Sequence, residues 1–547
     1  MEWISLVLVV VAVLYFIAKS MKERHSANTL VRFFQYGGDF GKRSFFATLA
    51  ASSTGLGASV YLIVIYGYFY GLGVFPWVLG FFVLTQAASV YVIRKVGAIA
   101  PDFVNKNGTL HEFLGRMFSS HAIRSIAGFM STITYTGLMA VELLLGYEIL
   151  RALIPGTKQF LSFELGPILL LLGIAGAVFY YTSVSGFRGV VATDRVQLGL
   201  IVLMMIAVLG VIVLNYPSFA AGYAENYYPL SDFKDSVFNA SGQGVVSFMF
   251  FFVFMNVIFW AMWWPSAMDQ WHRVASTRST ESALDGRFGT LSITSVLYFA
   301  LLSLTFLGLG VLVKTAMSPE DPTQPLFRFL TGISAGIGGS WLWLQLFGVA
   351  IISLGLVAIL VSTLDTYLVV AAQSFVSDIV FARRYKKTLY DTDNSLTSSE
   401  RRHALRLSKK IVLALGVPVL ILFFLIYQLA DVFTSIYLFY SFMMALIPAL
   451  IMGLRGKGKV TDAKAISFSL IGGGIWALVT NLYLVFKINE LLLLGLYEEV
   501  QLYYNLLYAN PTVTAVIAFV IYLVIKCWMK IGRTEAEKHS SQTVKSI

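Results

Sequence analysis

Apolar residues run along this chain in long stretches, each close to the ~20 residues that a helix needs to cross the hydrocarbon core of a bilayer. The stretches fall at 3–19, 45–71, 74–93, 122–153, 165–184, 189–214, 244–271, 289–315, 341–380, 410–429, 432–454, 464–486 and 510–529. They predict an all-α polytopic membrane protein with about thirteen transmembrane helices. The 341–380 stretch is too long for one straight span, so part of it is expected outside the bilayer. The first stretch follows Met1-Glu2 without a basic start or a small-residue cleavage site, which predicts a retained span rather than a signal peptide. The polar stretches 382–409 and 531–547 read as loop and tail by composition.

Two of the apolar stretches are interrupted. The second carries the small, polar run from Ala50 to Ser59, with Ser52, Ser53, Thr54, Gly55 and Gly57 inside it. The seventh carries Trp260-Ala261-Met262-Trp263-Trp264-Pro265-Ser266, where proline breaks the helical hydrogen-bond ladder. Unwound backbone at membrane depth supplies carbonyls to an ion, so such breaks point to a transport site. Small residues also let helices pack closely, but that alone does not explain two breaks at matched positions. The breaks lie five spans apart, which predicts two five-helix units of opposite topology. The units would be 44–220 (spans 2–6) and 244–455 (spans 7–11). Around them would lie a first outer helix and loop (1–43), peripheral helices (456–530) and a tail (531–547).

Composition agrees with the pattern. Of 547 residues, 57% are hydrophobic and only 13% charged, and the mean hydropathy is +0.76. A water-facing surface needs about twice that share of charge. The basic residues crowd alternate loops, with Lys19 to Arg43, Arg94 to Lys106, Arg273 to Arg287, Arg383 to Lys410 and Arg455 to Lys464 on one side. The other side holds only Arg151, Lys158, Lys234, Lys314, Arg328 and Lys487. This asymmetry predicts the N-terminus outside and the C-terminal tail in the cytoplasm. It accounts for the net charge of +11 through anionic lipid headgroups, without any nucleic acid. The single cysteine, Cys527, and six scattered histidines leave no disulfide, no metal motif and no sign of an enzyme centre.

Ionisable residues inside spans are costly and mark function by default. Glu142, Asp194, Asp269 and Asp365 are the candidates. Asp365 stands in Val361-Ser362-Thr363-Leu364-Asp365-Thr366, where 362, 365 and 366 share a helix face. Hydroxyls, a carboxylate and unwound carbonyls form a hard-oxygen set suited to Na⁺. A proton relay through Asp194 and Asp365 is the alternative. Asp269 and Asp378, beside Arg273 and Arg383, read as structural salt bridges or interfacial anchors at span ends. Glu142 either lines a central cavity or bonds a neighbouring helix. Trp263 and Trp264 fall at the second break and either pack or wall a solute site.

At this point the sequence resembles the solute:sodium symporter family, which includes sodium/glucose, sodium/proline and sialic acid carriers. Gly186 to Gln197 is similar to its G-x-x-A-V-x-x-T-D-x-x-Q segment, with Gly189 where alanine is usual. Thr109 to Leu114 is similar to its T-x-P-E-F-L loop, with His111 in place of proline. Val361 to Asp378 resembles its S-[ST]-x-x-S helix, and Pro448 to Gly453 with the basic 455–457 loop its P-x-x-x-x-G turn. The resemblance implies a five-plus-five inverted-repeat, LeuT-like core and Na⁺ as the coupling ion. Carried over, a first sodium site would use the carbonyls of Ser52, Gly55 and Ile359 and the hydroxyls of Ser362 and Thr363. A second would use Asp194, Asp365 and Thr366, with an aspartate where serine is common. The solute would meet Ser59, Glu142, Trp263 and Trp264. Ser59 and Val78 fall where sugar carriers hold polar side chains, so an amino acid, a carboxylate or an amine is expected rather than a sugar. The expected function is sodium-coupled symport of a small organic solute by alternating access. The expected setting is a plasma membrane (a bacterial inner membrane), with a monomer as the functional unit. A proton-coupled carrier of the same fold and a transporter-like solute sensor are the alternatives.

Overall fold

The computed structural model describes residues 2–37, 40–101, 108–153, 159–160, 163–215, 220, 248–277, 279–316, 342–382, 394–429, 432–456 and 460–545. The apolar stretches are helical over most of these residues. In chain order the helices are α1 (Glu2–Met21), α2 (Leu30–Gln35), α3 (Lys42–Ser53), α4 (Leu62–Tyr70), α5 (Phe75–Ile99), α6 (Leu110–Met117), α7 (His121–Leu153) and α8 (Leu165–Leu214). They continue as α9 (Phe248–Ser266), α10 (Met268–Ser276), α11 (Ile293–Ala316), α12 (Leu342–Gln373), α13 (Ser398–Ala414) and α14 (Gly416–Leu429). The last four are α15 (Val432–Met444), α16 (Ile447–Gly453), α17 (Val460–Leu493) and α18 (Tyr497–Lys545). A two-residue antiparallel pair, β1 (Gln159–Phe160) and β2 (Phe163–Glu164), is the one strand pairing among the described residues besides an isolated bridge.

Among the described residues nine helices are long and apolar enough to cross a membrane, and two shorter apolar helices add to them. The 50-residue α8 holds two of the expected spans, because Gly186 departs from helical geometry at φ +59°, ψ −153°. That region is open essentially to glycine alone, and a Cβ there would also overlap the Phe33 carbonyl oxygen. Gly189, where the resembled motif has alanine, faces the Ser20–Ser185 hydroxyl pair (2.6 Å), and a Cβ would overlap both hydroxyls.

Burial sorts the bundle into a core and a rim. The most apolar 18-residue stretches of helices 121–152 and 348–381 are each 89% buried, against 28% for 398–429 and 502–531. The inner helices are thus wrapped by protein, and the outer ones present leucine, valine and isoleucine outward as lipid demands. α4 and α11 approach backbone to backbone, with Gly67 on Leu307 and Gly310 on Val64, the small-residue contact that replaces hydrophobic drive inside a bilayer.

The structure adds to three expectations. The 341–380 stretch is helical without interruption from 342 on, α12 passing directly into a π-helix, Ser374–Phe381. The polar run 382–409 is helical from Ser398, started by a Thr397/Glu400 capping box, and α18 runs on to Lys545. Polarity marked those segments as exposed to water, but capping and helix-forming residues decide their backbone. Finally, Asp378 is paired with Arg124 (2.9 Å) and His111 (2.8 Å); Arg383 lies outside the described residues. Arg124 also binds Glu112 (2.7 Å) and the Ser377 carbonyl (2.9 Å), and His111 reaches Ser131 (2.8 Å). This buried knot ties α6, capped by its Thr109/Glu112 box, to α7 and the end of α12. His111, in place of the resembled proline, supplies two of its bonds.

Two stability measurements follow. Gly186→Ala is expected to lower the thermal unfolding midpoint through backbone strain of about 1–3 kcal/mol and the overlap with Phe33. Gly199→Ala, on the same helix with open space around it, leaves the midpoint near wild type. Asp378→Ala strips Arg124 and His111 of their partner and is expected to cost about 3–5 kcal/mol. Glu490→Ala, which removes a solvent-exposed pair with Lys487 (2.9 Å), is expected to cost much less. Equal midpoints within either pair would refute the corresponding account.

Candidate ion and solute site

The site begins where α3 ends. Thr54 and Gly55 are non-helical (φ −93°, ψ 67° and φ −73°, ψ 149°), and a π-helical turn, Leu56–Tyr61, then leads into α4. Backbone groups freed inside a bilayer must be satisfied by protein. Glu142 of α7 does this: its Oε2 accepts the Leu56 N–H (3.0 Å) and its Oε1 the Gly57 N–H (3.2 Å). The approach needs glycine at 55, since a Cβ would stand 2.9 Å from Glu142 Oε1. The Ser59 hydroxyl crosses the break to the Ser53 carbonyl (2.7 Å), and Thr54 binds Tyr298 (2.6 Å).

α12 lies alongside, and one of its faces carries the polar residues. Ser362 donates to Asp194 Oδ1 (2.7 Å) and Thr366 to the Ser52 hydroxyl (3.0 Å). Asp365 Oδ2 accepts from Tyr181 (2.6 Å) and Thr193 (3.4 Å). Thr363, one residue off that face, bonds back to the Ile359 carbonyl (2.9 Å), as Ser52 does to Thr48 (2.8 Å). All of these residues are buried. Asp194 Oδ2, Asp365 Oδ1 and both amide atoms of Gln197 have no hydrogen-bond partner among the described residues. Orphaned buried oxygens are rare, because each costs its full desolvation. Two carboxylates with spare lone pairs among hydroxyls are a donor set for a hard monovalent cation or a proton.

The residues of the expected first sodium set meet at the interface of α3 and α12, with the Thr363 methyl 3.8 Å from an ideal Cβ at Gly55. The Ser362 hydroxyl is turned to Asp194, so it joins the first set to the second. Thr366 likewise joins the second to Ser52.

The other break follows Pro265-Ser266 at Ala267 (φ −78°, ψ 117°), where α10 begins. Trp271 donates its indole N–H to the Pro265 carbonyl (2.9 Å). Asp269 is held by Tyr135 of α7 (2.7 Å), Gln270 (2.9 Å) and Arg273 (2.8 Å), as the sequence predicts for a paired aspartate. Between the two breaks is a small cavity of about 20 Å³, room for roughly one water, with Ser59, Trp260, Trp263, Trp264 and Tyr440 among its walls. The Trp263 and Tyr440 rings meet edge to face at 3.9 Å. Of the four expected solute residues, Ser59, Trp263 and Trp264 reach this cavity. Glu142 lies behind the break, spent on backbone N–H groups, and Val78 is buried outside the cavity lining.

Thr48, Tyr181, Thr193 and Gln197 belong to the cluster and were not singled out. Thr193 and Gln197 stand within the T-D-x-x-Q segment and could have been found there. Tyr181 sits in an apolar run with nothing local to mark it.

Removing the cap on the first break is expected to be costly. Glu142→Ala leaves two buried N–H groups unsatisfied, at about 1–3 kcal/mol each. Glu142→Gln keeps one acceptor oxygen and is expected to fall between alanine and wild type in thermal unfolding midpoint. A neutral Glu142→Ala would show that this contact does not hold the break.

No protein-family model and no curated protein matches the sequence. Among solved structures the chain is similar to a Na⁺-coupled sialic acid symporter in its substrate-bound outward-open state. The two share 15% identity with a TM-score of 0.63, over 95% of this chain and 98% of that one. Similarity is also found to MHP1, a nucleobase-cation-symport-1 family transporter in a closed conformation with bromovinylhydantoin bound, at 13% identity and TM-score 0.39, covering 92% of this chain and 95% of that one. MhsT in complex with L-phenylalanine matches at 15% identity and TM-score 0.39, covering 88% and 97%. The chain thus has the all-α, LeuT-like fold of the sialic acid symporter over nearly its whole length.

Proposed function

We propose that the protein is a sodium-coupled symporter of a small organic solute in a plasma membrane, working by alternating access. The observation that carries the reading is the buried oxygen cluster of Thr48, Asp194, Ser362 and Asp365, in which one oxygen of each aspartate has no partner among the described residues. Na⁺ fits such a set, because carboxylate, hydroxyl and carbonyl oxygens are the ligands it prefers. Two sodium sets are proposed: Ser52, Gly55, Ile359, Ser362 and Thr363 for one, Asp194, Asp365 and Thr366 for the other. The likeness to a protein described as a Na⁺-coupled sialic acid symporter supports the same reading.

The solute would lie between the two helix breaks, against Ser59, Trp263 and Trp264. The solute proposed is an amino acid, a carboxylate or an amine rather than a sugar: the cavity pairs aromatic walls with the polar side chains of Ser53, Asp269 and Gln270, and ring faces attract a cationic group. A cation held by α3, α8 and α12 would favour the conformation in which these helices stay together, and the solute would then bind a completed site. Rocking of the unit 44–220 against the unit 244–455 would open the site to the other side. The crowding of basic residues into alternate loops supports an N-terminus outside and a tail in the cytoplasm.

One observation favours a second reading, a proton-coupled carrier. Among the described residues, Asp194 and Asp365 receive hydrogen bonds from hydroxyls and from no cationic side chain, so a proton could take the place of Na⁺.

The test is thermal stabilisation of the purified protein in NaCl against equal KCl and choline chloride, since a ligand of the folded state alone adds about 2.7 kcal/mol at a hundred times its Kd. The expected result is a sodium-specific shift, reduced by Ser362→Ala and weakened by Asp194→Asn. No shift at any sodium concentration, with uptake in vesicles that collapses with the pH gradient, would replace the sodium reading by the proton one.

A further inference from the structure

Away from the solute cavity, and sharing no lining residue with it, lies an apolar chamber of about 1030 Å³ between α7, α14, α15 and α17. That is the volume of a full ligand pocket. Its walls include Ile133, Leu422, Leu438, Phe439 and Leu478. Of the four hydroxyl side chains at its edge, Ser125, Thr132 and Thr136 are spent on main-chain carbonyls of Asp378, Gly128 and Thr132. Water needs two to four polar partners to stay in a cavity, and ions need more, so neither is a stable occupant here.

The chamber is a slot that runs with the helices. Its lining extends along α14 from Leu415 to Leu429 and along α17 from Ile471 to Phe486, roughly 20 Å at 1.5 Å per residue. Its mouth is bordered by Leu425, Leu478 and Phe486, which are 50%, 45% and 60% exposed on helices of membrane-spanning length and apolarity. What meets that mouth is hydrocarbon. We propose that the slot is a binding site for one acyl chain of a membrane phospholipid, taken in laterally between α14 and α17.

The site has a mechanical consequence. Phe439 of α15 walls the slot and packs on Gly137 so closely that a Cβ there would overlap its ring. The next residue, Tyr440, points to the opposite side and meets Trp263 in the solute cavity (3.9 Å). The acyl chain buttresses α15 from behind, and α15 carries part of the solute wall. The proposal depends on the fold and not on which ion or solute is moved.

The test uses the full chain in nanodiscs of phosphatidylcholine containing a fraction of phosphatidylcholine with a diazirine in its acyl chain, photolysed and mapped by mass spectrometry. Adducts are expected on Ile133, Leu422 and Leu438, saturating as the diazirine fraction rises. Adducts on Leu203 and Leu523, exposed on other faces of the bundle, are expected to rise in proportion to that fraction. Leu425→Trp with Leu478→Trp fills the mouth and is expected to remove the slot adducts while leaving those on Leu203 and Leu523. Slot positions without adducts, or with adducts that track the outer faces in proportion, would overturn the proposal; this readout needs no variant. Slot adducts unchanged in a folded double variant would overturn it too.

Discussion

Inside a bilayer every backbone N–H and C=O has to find its partner within the protein. The helix that breaks at Thr54–Gly55 violates the simplest way of meeting that demand, and the rest of the centre is organised around the repair. Glu142 takes the two N–H groups at the start of the π-helical turn, and Ser59 takes the Ser53 carbonyl. Thr54 is fastened to Tyr298 of α11. A carboxylate at a helix N-terminus is also electrostatically favoured, so Glu142 does two things with one group.

The second break is repaired from the same helix. Tyr135 accepts the Asp269 N–H (2.9 Å) and donates to the Asp269 carboxylate (2.7 Å). Tyr135 and Glu142 are seven residues apart on α7, two turns, and therefore on one face. One face of one buried helix holds both interruptions of the bundle. α7 is anchored in turn by Arg124 in the knot with Glu112 and Asp378. Rigidity at these points lets the neighbouring backbone stay irregular without costing the fold its stability.

Both breaks were legible in the sequence, because small, polar or proline-containing runs inside apolar stretches are a local signal. So were the spans on either side of Gly186, although they are joined through a single glycine and not a loop. The pairing of Asp269 with Arg273, four residues on, was legible for the same reason. Asp378 was not: its partners Arg124 and His111 lie more than 250 residues earlier, and no local pattern encodes a contact across the bundle. Glu142 left two readings open from sequence, and geometry chose the bond to a neighbouring helix. Tyr181 was invisible because a tyrosine in an apolar span is normally packing; only its hydroxyl on Asp365 sets it apart.

The polar face of α12 argues for a single connected centre rather than two separate ones. Ser362, Asp365 and Thr366 lie at i, i+3 and i+4, and each reaches a different part of the bundle. Ser362 goes to Asp194, Asp365 to Tyr181 and Thr193, and Thr366 to Ser52 beside the first break. Ser362 is where the two proposed sodium sets would be linked: its hydroxyl oxygen has lone pairs for a cation of the first set while its proton is donated to Asp194 of the second. α12 runs without interruption into the π-helix that ends at Phe381, so the interrupted backbone of this centre belongs to the helices packed along it and not to α12 itself.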